Sequence, residues 1–389
     1  MAVTKDSPLT ALQQRLAYID QHPDREWSVI VDNVPVWSHA DRMRFRKETP
    51  AGDPYTYAPC AGLPPMVDAV LDEANRHHRT VIGPENVLVT NGAMHAIRLL
   101  ADRFRANGRR VLVQRPVLSA VPRIFRDCGL EVDYFEPTMA GMAEAKLLTG
   151  AAHPELAMVY VNSPNNPTGE VISQEVLEEL TGVVSRSSAA LLCDQVYDAY
   201  QPASGDVPTI IDAAIRDGRV FYLNSMSKNY GMPGLRIGWI VGEKYEISQL
   251  SGRLERENVA VNGPAQDFAA VILRYGNQSL RDAVAITREH LVTEVRSLPG
   301  LEVPQAMRGL GGSSLVVAVS VSDIETFADE LLVRHSIAVT TPSNFAGIES
   351  HHPAWIRVPL GYPGSVVANT LTKISEILTE SSREYGAVS

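Results

Sequence analysis

Cysteine is scarce: Cys60, Cys128 and Cys193 are the whole complement of this 389-residue chain. None falls in a C-x-x-C pair or at a metal-ligand spacing, which excludes a disulfide framework or cysteine-rich metal site and points to reduced thiols in a cytoplasmic protein. Long apolar runs are missing too. No stretch reaches the roughly 20 residues that a bilayer-spanning helix needs, and the first residues lack a signal peptide's basic start and apolar core. With 35 basic against 45 acidic residues the net charge is -10. No Lys/Arg cluster with interleaved aromatics breaks that balance, so neither nucleic acid nor a membrane surface is an expected partner. The histidine pairs His77-His78 and His351-His352 are adjacent in sequence, a spacing that neither helix nor strand turns towards one point, so no metal is expected there.

What remains is an ordinary globular composition, 45% apolar and 21% charged, on a chain long enough for a large domain and a smaller one. From about residue 85 one theme recurs: a short apolar run rich in β-formers, then turn residues, then a stretch of helical period. The runs cover residues 87–90, 111–114, 157–162, 189–194, 219–224 and 237–241. Runs without polar alternation suit strands buried on both faces, and the intervening helices supply the crossovers that parallel strands need. The chain is therefore expected to be α/β. Residues 279–298 have helical period, and residues 315–320, 337–341 and 355–360 read as strands of a smaller α/β unit. The glycine-rich stretch 309–312 does not open a helix after a first strand, so it reads as a turn rather than a nucleotide loop.

Open α/β sheets bind ligands beside the carboxyl ends of their strands, which directs the search there. Beyond the run ending at Asn224 stand Ser225, Met226, Ser227 and Lys228, with Arg236 eight residues after the lysine. A lysine can form a Schiff base with a cofactor aldehyde, while hydroxyls and a guanidinium can hold a phosphate through charge-assisted hydrogen bonds. This segment resembles that of fold-type I pyridoxal 5'-phosphate (PLP) enzymes of the aspartate aminotransferase fold, in the class I/II aminotransferase group. Further matches follow in the family's order. Residues 162–169, Asn-Ser-Pro-Asn-Asn-Pro-Thr-Gly, resemble its N-x-P-x-N-P-x-G turn, and Asp194 with Tyr197 resembles its D-x-x-Y.

The resemblance implies a large domain over residues 46–278, with a mainly parallel mixed sheet between helices. It implies a small domain from residues 1–45 and 279–389. It assigns Lys228 as the Schiff-base lysine and Asp194 as the partner of the pyridinium nitrogen, where a carboxylate keeps the ring protonated and electron-accepting. Asn166 and Tyr197 are assigned to the ring oxygen, and Ser225, Ser227 and Arg236 to the phosphate. Gly92, Ala93 and Met94 lie where a strand turns into a helix and are assigned to the same phosphate cradle. Arg357 resembles the arginine that grips the substrate α-carboxylate, a task that suits a planar guanidinium, with Asn166 beside it. Tyr57 resembles the tyrosine that reaches the neighbouring subunit's phosphate, which implies a homodimer.

Two features depart from the family. The strand before the pocket usually leads into P-x-aromatic, whereas here Pro116 is followed by Val117 and Leu118. Leucine packs on a ring face without aromatic stacking, so Leu118 is expected at the cofactor, where it points either to chemistry other than ordinary transamination or to simple tolerance of an aliphatic packing surface. Residues 27–37 also lack the usual Gly-x-Pro substrate loop. The expected activity is transamination between an amino acid and a 2-oxo acid. The alternative is elimination, replacement or cyclisation, because Gly231, Met232, Pro233 and Gly234 resemble the 1-aminocyclopropane-1-carboxylate synthase branch.

Overall fold

A computed structural model describes residues 10–386, except 33, 51, 78–80, 146–154, 202–207, 305–310 and 349–353. The residues His78, His351, His352 and Gly309 thus lie outside the described residues. In chain order the strands are β1 (Ser28–Ile30), β2 (Val87–Thr90), β3 (Arg110–Gln114), β4 (Val117–Leu118), β5 (Glu131–Phe135), β6 (Leu156–Asn162) and β7 (Ala190–Asp194). There follow β8 (Val220–Ser225), β9 (Gly238–Val241), β10 (Leu301–Glu302), β11 (Ser314–Val319), β12 (Ile337–Val339), β13 (Phe345–Ala346) and β14 (Trp355–Pro359).

Seven strands form the central sheet in the order β2-β9-β8-β7-β6-β3-β5. Every residue of β6, β7 and β8 is buried, as their unbroken apolar character requires of strands covered on both faces. All neighbours are parallel except β9, which runs antiparallel to both β2 and β8. The segment joining β8 to β9 holds one 3-10 turn, Pro233–Leu235, and no crossover helix, so the chain folds straight back. Five strands escape the apolar-run reading, namely β1, β4, β5, β10 and β13. The edge strand β5 is Glu-Val-Asp-Tyr-Phe and only its last residue is buried, and β1 has three residues.

A second layer of structure lies beyond this sheet. Strands β10, β11 and β14 form a three-stranded antiparallel sheet, and β1 pairs in parallel with β12. The ribbon β4–β13 ties Leu118 to Phe345 across the two regions. Helix Gln278–Val295 packs against the C-terminal helix Gly364–Gly386. The N-terminal helix Ala11–Asp20 is anchored by the buried Arg15, which donates to Asp329 (3.1 Å), Glu325 (2.9 Å) and Thr341 (3.0 Å). Among the described residues no helix is long and apolar enough to cross a membrane.

Candidate active site

The carboxyl ends of β6, β7 and β8 open onto a cavity of ≈ 210 Å³. Of the residues singled out above, Ala93, Met94, Leu118 and Asn166 line it, as do Asp194 and Tyr197. The β8–β9 segment contributes Ser225, Ser227, Lys228 and Arg236.

At one end the helix Ala93–Phe104 begins at Gly92, which has φ +77° and offers no side-chain cap. Its first amides are left to an outside acceptor, the arrangement that binds anions at helix N-termini. A Cβ on Gly92 would lie 2.5 Å from the Arg236 guanidinium, so the bare backbone lets that cation approach. Arg236 itself sits in the left-handed region at φ 54° and donates to the Pro233 carbonyl at 2.9 Å. The buried Ser225 hydroxyl has no hydrogen-bond partner among the described residues. Uncapped amides, a guanidinium and an unsatisfied hydroxyl form the donor set that a phosphate ester completes.

At the other end Asp194 is buried. Its carboxylate accepts from the Tyr160 hydroxyl at 2.7 Å and the Val196 amide at 3.2 Å. Burial without a counter-cation pushes its pKa up to about 6 despite those two bonds. A protonated pyridine nitrogen would supply the missing charge. The cavity thus fits PLP at both ends, with aliphatic walls from Val117, Leu118, Val121 and Val196 between them. Phe125, the first aromatic after Pro116, is instead fully buried against Tyr160, with ring centroids 5.9 Å apart.

Arg357 is buried on β14 and donates to Asn166 Oδ1 at 2.9 Å and to the Val31 carbonyl. Burial lowers its pKa, and its Nε has no hydrogen-bond partner among the described residues. One face of the guanidinium lies 5.7 Å from the Phe345 ring centroid. Asn166 is held in turn by its amide, which donates to Asn162 Oδ1 at 2.9 Å. Tyr57 stands apart from this cluster and is 83% exposed.

Lys228 Nζ lies 3.3 Å from Asp32 Oδ1. Burial pushes the amine below its ordinary range, and the Asp32 charge opposes that shift. The lysine's backbone is fixed by Tyr200, whose hydroxyl donates to the Lys228 carbonyl at 3.0 Å. The next residue, Asn229, donates to Asp198 at 2.6 Å, and Tyr222 donates to the same carboxylate at 2.9 Å. Burial pushes Asp198 up to about 7. Sequence reasoning missed Asp32, Tyr160, Asp198 and Tyr200. Tyr160 and Asp198 carried a usable signal, since a polar residue in or just after a fully apolar strand needs a buried partner. Asp32 carried none, because only folding brings it to Lys228.

Residues 43–374 match the family described as "Aminotransferase class I and II". The chain belongs to that family and is a PLP-dependent aminotransferase. Transamination therefore takes precedence over elimination or cyclisation. Among curated proteins the chain is 32% identical to the L-aspartate:5-guanidino-3-methyl-2-oxopentanoate transaminase of Pseudomonas syringae pv. syringae, over 99% of this chain and 97% of that one. It is 34% identical to the 3-methylarginine biosynthesis aminotransferase ArgM of Streptomyces arginensis, over 95% and 96% of the two chains. The solved aspartate aminotransferase of Thermotoga maritima superposes with a TM-score of 0.80 at 21% identity, covering 97% of this chain and 100% of its own, which establishes the common fold.

Proposed function

We propose that this enzyme transfers an amino group between L-aspartate and a 2-oxo acid bearing a guanidino side chain. The observation that carries the α-amino-acid half of this reading is the buried Arg357–Asn166 pair beside the cavity, a rigid donor set for a carboxylate. The guanidino half is supported by the two relatives above, which resemble this chain over nearly its whole length and whose names describe that chemistry.

Bound PLP supplies an electron-withdrawing ring that makes the substrate Cα–H acidic. In this reading Lys228 anchors the cofactor and its amine moves the proton at the substrate Cα. Burial favours the neutral amine that such a base needs. Asp194 holds the proton on the ring nitrogen, with Tyr160 orienting the carboxylate. Asn166 and Tyr197 hold the ring oxygen, and Leu118 packs on the ring. Gly92, Ala93, Met94, Ser225, Ser227 and Arg236 bind the phosphate. The domain division at residues 45/46 and 278/279, a cytoplasmic location, and a homodimer in which Tyr57 reaches the partner's phosphate complete the proposal. The pairing of β1 with β12 supports grouping the N-terminal segment with the C-terminal region.

The test incubates holoenzyme with L-aspartate and 5-guanidino-2-oxopentanoate and follows L-arginine and oxaloacetate by mass. Stoichiometric formation of both is expected. Absence of transfer to any guanidino 2-oxo acid, while other 2-oxo acids accept the amino group from a donor, refutes the substrate assignment.

A further inference from the structure

Asp32 occupies the stretch where the family's substrate loop is unrecognisable in this sequence, and the fold carries it to the lysine of the cavity. Its position is fixed by its neighbours. The preceding carbonyl, of Val31, accepts from both Arg357 and Thr340, and Val34 and Pro35 that follow are buried. On the far side of Pro35, Trp37 donates its indole N–H to the Tyr230 carbonyl at 2.7 Å. With Val31 and Trp37 held by these bonds, Asp32 presents a carboxylate, half-exposed at 52%, beside Lys228. Asp32 is also close enough to Arg357 and Tyr362 for its charge to be felt at both.

The charges around the site make this carboxylate conspicuous. Lys228, Arg236 and Arg357 suit a phosphate and an α-carboxylate, which are anions. Among the described residues Asp194 is the carboxylate that lines the cavity, and it is committed to Tyr160 and the Val196 amide; Asp32 stands beside it, against Lys228. Asp32 has no such donors among the described residues besides Lys228, whose nitrogen is also the cofactor's anchor and so is not a permanent partner. A carboxylate at a site's edge matches a planar guanidinium through two parallel hydrogen bonds.

We propose that Asp32 is the specificity residue that recognises the guanidinium of the substrate side chain, an inference that rests on the guanidino reading above. The α-carboxylate is then fixed by Arg357 and the side-chain end by Asp32, two opposite charges displayed by adjoining parts of one hydrogen-bonded unit.

The test compares L-arginine with L-citrulline as amino donors. Citrulline keeps the length and the planar end of the side chain but carries no charge there. Wild-type holoenzyme is expected to favour arginine in kcat/KM by about 10- to 100-fold, the worth of a charge-assisted hydrogen bond, with the difference mainly in KM. Asp32→Asn should bring the ratio to within about threefold, and Asp32→Glu should restore part of it. Calorimetric titration with 5-guanidinopentanoate, which lacks the reacting amine, supplies a readout independent of turnover: Kd should rise about tenfold or more in Asp32→Asn. An unchanged arginine-to-citrulline ratio in a folded Asp32→Asn enzyme overturns the role of Asp32 while leaving the guanidino reading intact. An equal fall for both donors likewise overturns that role and makes Asp32 a positioning residue for Lys228. Wild-type enzyme that takes both donors equally overturns the proposal for Asp32. Only the absence of guanidino substrates from the aspartate-coupled assay overturns the broader reading.

Discussion

At the residue scale, the end of the cavity proposed to face the ring nitrogen holds a buried acid whose neighbours do not fully compensate it. Asp194 is raised to about 6 from an ordinary 3.8, with burial as the main cause and the Tyr160 hydroxyl pulling the other way. The folded cofactor-free chain therefore holds this proton more tightly than the unfolded one. The resulting stabilisation is complete below about pH 4 and is lost as pH rises towards 6, by up to about 3 kcal/mol. Thermal unfolding of cofactor-free protein between pH 4 and 7 should show that decline, and Asp194→Asn should flatten it; equal slopes in the two proteins contradict the assignment. Asp198, also raised by burial, leaves a smaller decline in both proteins. Tyr160→Phe removes a bond of 2.7 Å to the same carboxylate. It should weaken PLP binding by about tenfold or more, measured by reconstitution of cofactor-free enzyme, because hydrogen bonds to charged groups contribute about 1.5–3 kcal/mol.

At the scale of elements, the end of the cavity proposed to hold the phosphate depends on two backbones meeting without side chains between them. Gly238 opens β9, and a Cβ there would lie 2.8 Å from the Gly92 carbonyl carbon, 3.0 Å from the Ala93 nitrogen and 3.0 Å from the Asn224 oxygen. These are backbone atoms of the cradle and of β8, with no flexible end to swing away. Gly238→Ala should therefore lower stability by about 1–3 kcal/mol and loosen the cofactor at the same time. A melting curve and a PLP titration check this jointly, and an unaffected cofactor affinity would separate β9 from the cradle. The element also illustrates how far periodicity reaches. Residues 237–241 are a strand by composition, but their reversed direction follows from the short β8–β9 connection and not from the apolar run itself. The edge strand β5 lacks an apolar run because most of its residues are only partly covered.

At the scale of the whole molecule, the described chain assembles most of a site and leaves one expected contributor outside. Tyr57 is 83% exposed and separate from the cavity, which is where a residue serving a partner subunit would stand in an isolated chain. The enzyme is expected to sediment as a dimer, and Tyr57→Phe should raise the Kd for PLP by about tenfold without shifting the sedimentation coefficient. A monomer with full activity would remove Tyr57 from the mechanism.

How much of this was legible in the sequence depends on how local each determinant is. The α/β class, the approximate positions of β2, β3, β6, β7 and β8, and the residues at the strand ends are set by runs of buried side chains and by short motifs. Lys228 and Ser225 belong together because they are neighbours in sequence. Contacts between distant segments depend on the tertiary structure. Arg357 reaches Asn166 from 191 positions away, and Lys228 meets Asp32 across 196. Such pairings leave no periodicity to read: motifs pick out Lys228, Asn166 and Arg357 singly, while Asp32 in the sequence is indistinguishable from a solvated surface charge. The sequence by itself determined the fold class and the cofactor chemistry, because these rest on strand periodicity and local motifs. Tertiary structure alone decided that Asp32 stands against Lys228, because that contact depends on where the N-terminal segment docks.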